Sequence, residues 1–151
     1  MFSPKERLFM ERAFELAVEC FNNKEVPVGA VVVKDKKIIG EGRNKVISEN
    51  DVTSHAEINA IRDASRNIKN YRLNNCSMYV TLEPCHMCAK ALVDARISSM
   101  VFAALEPKTG SVVSIDNFLD KKILNHHVTY NYGLMADESS NLLKEFFKIR
   151  R

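Results

Sequence analysis

With 151 residues, 46% of them hydrophobic and 27% charged, the chain fits a single domain, residues 1–151, able to bury a core without covalent staples. No apolar run approaches the ~20 residues of a membrane span. Glu6, Arg7, Glu11, Arg12 and Glu15 interrupt what would be a signal peptide's apolar core, so the expectation is a cytoplasmic protein with no membrane partner.

The net charge of +3 falls in residues 121–151, where Lys121, Lys122, Lys144, Lys148, Arg150 and Arg151 outnumber Asp137, Glu138 and Glu145. A basic end of this kind can meet phosphates. On charge alone the simpler reading is that it complements a helix C-terminus. Ser3-Pro4-Lys5-Glu6 is a capping box with proline at the first helical position. The helix it opens places Phe9, Ala13, Leu16, Ala17 and Cys20 on one face. Residues 26–33 form a continuous apolar run, the pattern of a central strand, and Asp35-Lys36-Lys37 turns it into a second strand over 38–42. A helix follows over 55–66 with Ile58, Ile61 and Ala64 or Ser65 inward. Strand 78–82 leads into helix 85–96 and then strand 100–104. A loop with Pro107 and Gly110 precedes a last strand, 127–132, and a last helix, 137–149, whose apolar residues are Leu142, Leu143, Phe146 and Phe147. Strands alternating with such helices imply a helix-flanked sheet that is at least partly parallel.

Four cysteines in a cytosolic chain point to metal or redox chemistry rather than a disulfide framework. Cys85 and Cys88 open a helix directly after a strand, where unpaired N–H groups and the helix dipole stabilise thiolate. A dithiol redox couple wants this as much as a metal does, but it explains the pair alone. Ser54-His55-Ala56-Glu57 opens another helix. In an α/β sheet, strand ends and helix starts converge on one edge, so His55, Cys85 and Cys88 can meet at one point. That donor set suits tetrahedral zinc with one position open, the catalytic arrangement. Cys76 stands ~25–30 Å from Cys85 if the strand is extended, Cys20 lies on an apolar helix face, and His86 must point away from its cysteine neighbours. Plainer readings exist for each residue singly. Ser-x-x-Glu is also a capping box, in which Glu57 only ties back to Ser54, and His55 can be a partly buried surface histidine.

Zinc with an open position lowers the pKa of a water from ~15.7 to about 7. A carboxylate beside it, here Glu57, can accept the proton and pass it on. His-x-Glu with Pro-Cys-x-x-Cys is the signature of zinc nucleobase deaminases, in which the Glu is not a ligand. It reads here as His55-Ala56-Glu57 and Pro84-Cys85-His86-Met87-Cys88. A zinc-stapled RNA-binding module without catalysis is the remaining rival, and it leaves Glu57 without a task.

Further segments carry a resemblance: Glu25-Val26-Pro27-Val28-Gly29-Ala30, Asn44, Tyr79-Val80-Thr81-Leu82-Glu83-Pro84-Cys85, Met87-Cys88-Ala89, Lys108-Thr109-Gly110, Asn125-His126 and the ending Phe146-Phe147-Lys148-Ile149-Arg150-Arg151. Over nearly its full length the chain resembles the bacterial tRNA-specific adenosine deaminases. The zinc motif alone would equally fit deaminases of free bases and nucleosides (guanine, cytosine or cytidine type), which are the alternative reading. The resemblance implies an α/β, three-layer α/β/α cytidine deaminase-like fold, with a five-stranded mixed sheet flanked by helices. It implies a homodimer with one Zn2+ per subunit, held by His55, Cys85 and Cys88, and Glu57 as proton shuttle. The implied partner is a tRNA anticodon stem-loop, whose wobble adenosine becomes inosine. Val28 and Asn44 are then expected to line the base pocket. Ala56, Leu82, Glu83 and Pro84 are expected to hold the reacting base, and Glu106, His126, Phe146, Phe147 and Arg150 to meet the RNA. Glu106 stands where the family often has aspartate, Lys90 where it usually has glycine, and Val52 where proline is common before the histidine motif.

Overall fold

The protein is described from a computed structural model over residues 1–150; Arg151, expected at the RNA-facing end, lies outside the described residues. Five strands form one sheet in the order β2-β1-β3-β4-β5. They are β1 (Gly29–Lys34), β2 (Lys37–Arg43), β3 (Ser77–Leu82), β4 (Ser99–Ala104) and β5 (Thr129–Tyr132). β1 runs antiparallel to β2 and β3, whereas β3, β4 and β5 are parallel, so the expected mixed sheet is present.

Side chains alternate across the pleat and build two apolar layers. Ala30, Val32, Met78, Val80, Met100 and Phe102 face α3 (Ala56–Ile68) and α4 (His86–Asp94). Val31, Val33, Tyr79, Val101 and Ala103 face α1 (Pro4–Asn22), beside which α5 (Ala136–Arg150) packs. This is the three-layer arrangement. The Ser3 capping box of α1 is formed in both directions, Ser3 Oγ accepting from the Glu6 N–H and Glu6 from the Ser3 N–H. Asp35 and Lys36 both take positive φ, 51° and 64°, as a two-residue type I′ hairpin requires.

Several boundaries differ from the sequence pattern for identifiable reasons. The strand expected over 26–33 enters the ladder only at Gly29, because Pro27 has no N–H to donate. α3 buries Ala56, Glu57, Ala60 and Ala64 rather than Ile58 and Ile61, which are half-buried. The cause lies on β2. Without side chains at Gly40 and Gly42 the helix backbone comes so near that a Cβ on Gly42 would sit 2.3 Å from the Ala60 nitrogen. α4 ends at Asp94, with Ala95 as C-cap and Arg96 in the left-handed region at φ 67°. A four-residue helix, α2 (Val46–Glu49), and a 3-10 turn at Phe118–Asp120 are additional to the expected elements.

Candidate active site

β3 ends at Leu82, and Glu83-Pro84 carries the chain to Cys85, the N-cap of α4. His55 is the N-cap of α3. Both caps have extended backbone (ψ 178° and 156°), and neither side chain caps its own helix. Those side chains are free to face each other, and they do. His55 Nδ1 lies 3.4 Å from Cys88 Sγ and 3.7 Å from Cys85 Sγ, and the three donor atoms all fall within 4.8 Å of one another. Tetrahedral zinc bonds of ~2.0–2.1 Å to nitrogen and ~2.3 Å to sulfur put such donors roughly 3.6 Å apart. The residues therefore fit the ion that the sequence implies. Cys85 ionises first of the two thiols: hydrogen bonding from the Cys88 thiol, then from His55, brings it down to about 4 despite burial. The same thiolate and burial push Cys88 up, and hydrogen bonding to Cys85 raises His55.

The plain reading of Glu57 as a capping-box partner fails in this geometry. The Ser54 N–H donates to the Asp51 carbonyl, while Ser54 Oγ donates to Glu49 and accepts from Asn59 Nδ2. Glu57 is left buried beside the ligand trio, and burial pushes its carboxyl up to about 7. His86 turns outward to Asp116, Nε2 to Oδ2 2.9 Å, and Cys20 and Cys76 are buried elsewhere.

A cavity of about 260 Å³ opens over this trio, with His55, Glu57 and Cys85 in its lining. Val28, Asn44, Ala56, Leu82 and Glu83 stand in its walls. Asn44 is fixed there, its Nδ2 donating to the Val26 carbonyl and its Oδ1 accepting from the Val46 N–H. Pro84 lies just behind the wall, its carbonyl accepting from the Ser111 N–H. Glu106 sits on the following loop, half-buried and outside the lining, its carboxylate accepting from the Lys108 N–H. A second cavity of about 610 Å³ adjoins the first, sharing Glu25 and Ile47 with it, and takes in Phe146 and Arg150.

Two of the residues expected to meet the RNA have protein partners of their own. Phe146 is only 4% exposed, with Phe21 and Phe147 edge-on to it and the Arg150 guanidinium over its ring; Phe147, 47% exposed, is the more accessible aromatic. His126 is bonded to the Ile97 carbonyl at 2.7 Å, before the start of the parallel strands and so at the opposite sheet edge from the pocket. Residues missed in the sequence include Glu25, Val26, Ile47 and Thr109. Glu25 is buried and accepts the N–H groups of Ile47 (3.1 Å) and Ser48 (2.8 Å), pinning α2 beside the cavity. Its only sequence signal was its place in the quoted Glu25–Ala30 stretch, where a lone carboxylate looks like surface.

Residues 4–151 match the family model described as MafB19-like deaminase. The tRNA-specific adenosine deaminase of Haemophilus influenzae is 48% identical over 143 residues, covering 94% of this chain and 83% of that protein. That of Aquifex aeolicus is 46% identical, covering 93% and 92%. A solved structure from a study of A-to-I editing by tRNA:A34 deaminases at the wobble position superposes with a TM-score of 0.87 at 40% identity, covering 90% of this chain and 99% of that one. A guanine deaminase from Nitrosomonas europaea shares the fold at 23% identity with a TM-score of 0.81, covering 97% and 85%.

Proposed function

This chain belongs to the MafB19-like deaminase family, among relatives that are tRNA-specific adenosine deaminases, and from that premise we propose that it is a zinc-dependent deaminase converting adenosine to inosine at the wobble position of a tRNA anticodon. The observation that carries the reading is the meeting of His55, Cys85 and Cys88 beside a buried Glu57 at one cavity. His55, Cys85 and Cys88 would hold the ion. When bound, zinc supplies Lewis acidity that brings a water's pKa to about 7.

The chain's own groups do the rest. Glu57 accepts the proton that the attacking water gives up and returns it to the base, and the amino group leaves as ammonia. A carboxyl raised by burial can both take and give a proton near neutral pH. Val28, Asn44, Ala56, Leu82 and Glu83, backed by Pro84, enclose a flat ring in a cavity with mostly apolar walls. Arg150, in the lining of the adjoining cavity, and Phe147, exposed on the same helix, meet the flanking nucleotides. The enzyme works in the cytoplasm as a homodimer, and a light-scattering mass of two chains is the expected result.

The test is sequencing of tRNA after incubation with the protein. Adenosine read as guanosine at the wobble position is expected. Unaltered tRNA with rapid deamination of free bases or nucleosides would transfer the site to the free-base class.

A further inference from the structure

We propose that Glu83 is a positioning residue: its carboxylate holds the loop 106–114 as one wall of the substrate pocket and thereby sets how well the pocket retains its substrate. The substrate in this statement rests on the deaminase reading above; the hold on the loop rests on geometry alone. Glu83 is 3% exposed. Its Oε2 accepts three consecutive backbone N–H groups, from Val112 (3.1 Å), Val113 (2.8 Å) and Ser114 (3.0 Å). Its Oε1 accepts the Glu106 N–H at 3.0 Å and the Ser114 hydroxyl. Successive N–H groups turned inward form an anion-binding concavity. Here the anion is the chain's own side chain, so both ends of the loop hang from one carboxylate.

Two further features tie this arrangement to the pocket. The loop carries Thr109 into the lining, which it shares with Val28 and Asn44. Gly110 passes so close that a Cβ there would lie 2.3 Å from the carboxylate carbon of Glu83. The absence of a side chain at 110 is therefore part of the fit. Glu57 and the metal donors are carried by other elements, α3 and the start of α4, and the loop touches that second element through the Ser111 N–H on the Pro84 carbonyl, next to Cys85. A loosened wall weakens ground state and transition state alike, and such a loss appears in KM rather than kcat.

The experiment compares zinc-loaded full-length protein with Glu83→Gln, Ser114→Ala and Gly110→Ala. Glutamine keeps the volume but turns an NH2 toward N–H donors. Amide hydrogen exchange at Val112, Val113 and Ser114 is expected to rise about 10-fold or more in Glu83→Gln, while β1 and β3 amides and the zinc content stay as they are. On an anticodon stem-loop RNA, KM is expected to rise about 10-fold with kcat within about 3-fold. Ser114→Ala should give the same split at smaller size, and Gly110→Ala should reproduce it with Glu83 in place. Should Glu83→Gln fail to fold, these two loop variants decide the matter. Unchanged exchange in the loop, or a fall in kcat at constant KM, overturns the proposal. Wild-type protein that deaminates no RNA overturns the deaminase reading instead, and amide exchange then still decides whether Glu83 holds the loop.

Discussion

His55 Nδ1 lies 3.4 Å from Cys88 Sγ although 33 positions separate the two residues in the chain. Neither has moved far from its own helix start; the sheet brings the two starts together. With Cys85 they make a donor set ready for a metal, and purified protein is expected to hold one zinc per chain. Stripping the zinc with a chelator should abolish activity and lower the melting temperature, because an ion bound only by the folded state stabilises it. Zinc alone should restore both. A metal-free sample with full activity would end the assignment.

Glu57 and the ligands are predicted to separate on substitution. Glu57→Gln should keep its zinc and lose about 10²–10⁴-fold in kcat, the usual worth of positioned proton transfer. Cys88→Ser should lose the metal as well as the activity. The check is metal analysis beside turnover for each variant. The opposite pattern, zinc lost with Glu57 and kept with Cys88 replaced, would exchange the roles of base and ligand.

Much of this site was legible in the sequence because its residues are tied to local structure. His55 and Cys85 are helix N-caps, and a strand-to-helix junction can be recognised from a few residues. What depended on contacts between distant segments was not legible. The inward face of α3 is set by the missing side chains of Gly40 and Gly42, so the isoleucines that periodicity placed inside are half-buried. Glu25 looks like a surface carboxylate, and nothing marks the Glu83 side chain as a loop anchor, until the backbone N–H groups they accept, 22 to 31 positions away, are in place. Phe146 and Phe147 are identical in type and adjacent, and only the packing of α5 on α1 decides which is covered.

That close approach of α3 to β2 leads to a prediction linking fold to site. Gly42→Ala places a methyl 2.4 Å from the Ala56 carbonyl, one residue from His55. Overpacking of this kind costs about 1–3 kcal/mol. The helix start must shift to relieve it, so zinc affinity should fall together with stability. Denaturant midpoints and zinc competition measured on the same variant test the pairing. A destabilised protein with unchanged zinc affinity would uncouple the helix start from the site.

Stability should also respond to acid through Arg12 and Glu41, which join α1 to β2 in a bidentate fork of 2.7 and 2.9 Å. The hydrogen bonds from Arg12 hold the Glu41 carboxyl below its usual value, outweighing its partial burial. A depressed folded-state pKa contributes stability above the unfolded value, ~4.3, and that contribution is lost as pH falls through the folded one. The pair is about one-third exposed, so Glu41→Gln should cost no more than about 0.2–1 kcal/mol at pH 7. The gap to wild type should close as the pH drops below about 4. Parallel denaturation curves at both pH values are the check, and a gap independent of pH would remove the ion pair from the account.

The adjacent phenylalanines of α5 supply the last prediction, which concerns the RNA. Phe146 is covered by Phe21 and by Arg150, whose Nη1 also donates to the Lys24 carbonyl at the end of α1. Phe146→Ala should therefore act on stability, at about 3 kcal/mol for a buried ring. Phe147 presents its ring to solvent, where an unstacked base can lie on it. Base–aromatic stacking is worth about 1–3 kcal/mol per base, so Phe147→Ala should raise KM for the anticodon stem-loop some 10-fold while leaving the melting temperature in place. Lys148 stands next to it and is exposed. Contact with phosphate releases counterions, so Lys148→Ala should flatten the fall of activity with rising salt. The bland alternative is that these side chains only finish the helix and oppose its dipole. It predicts small stability changes for Phe147 and Lys148, with no change in KM or salt slope. Kinetics on the stem-loop across a salt series, with melting curves for the same three variants, distinguish the two, since only an RNA-facing α5 gives its neighbouring phenylalanines opposite phenotypes.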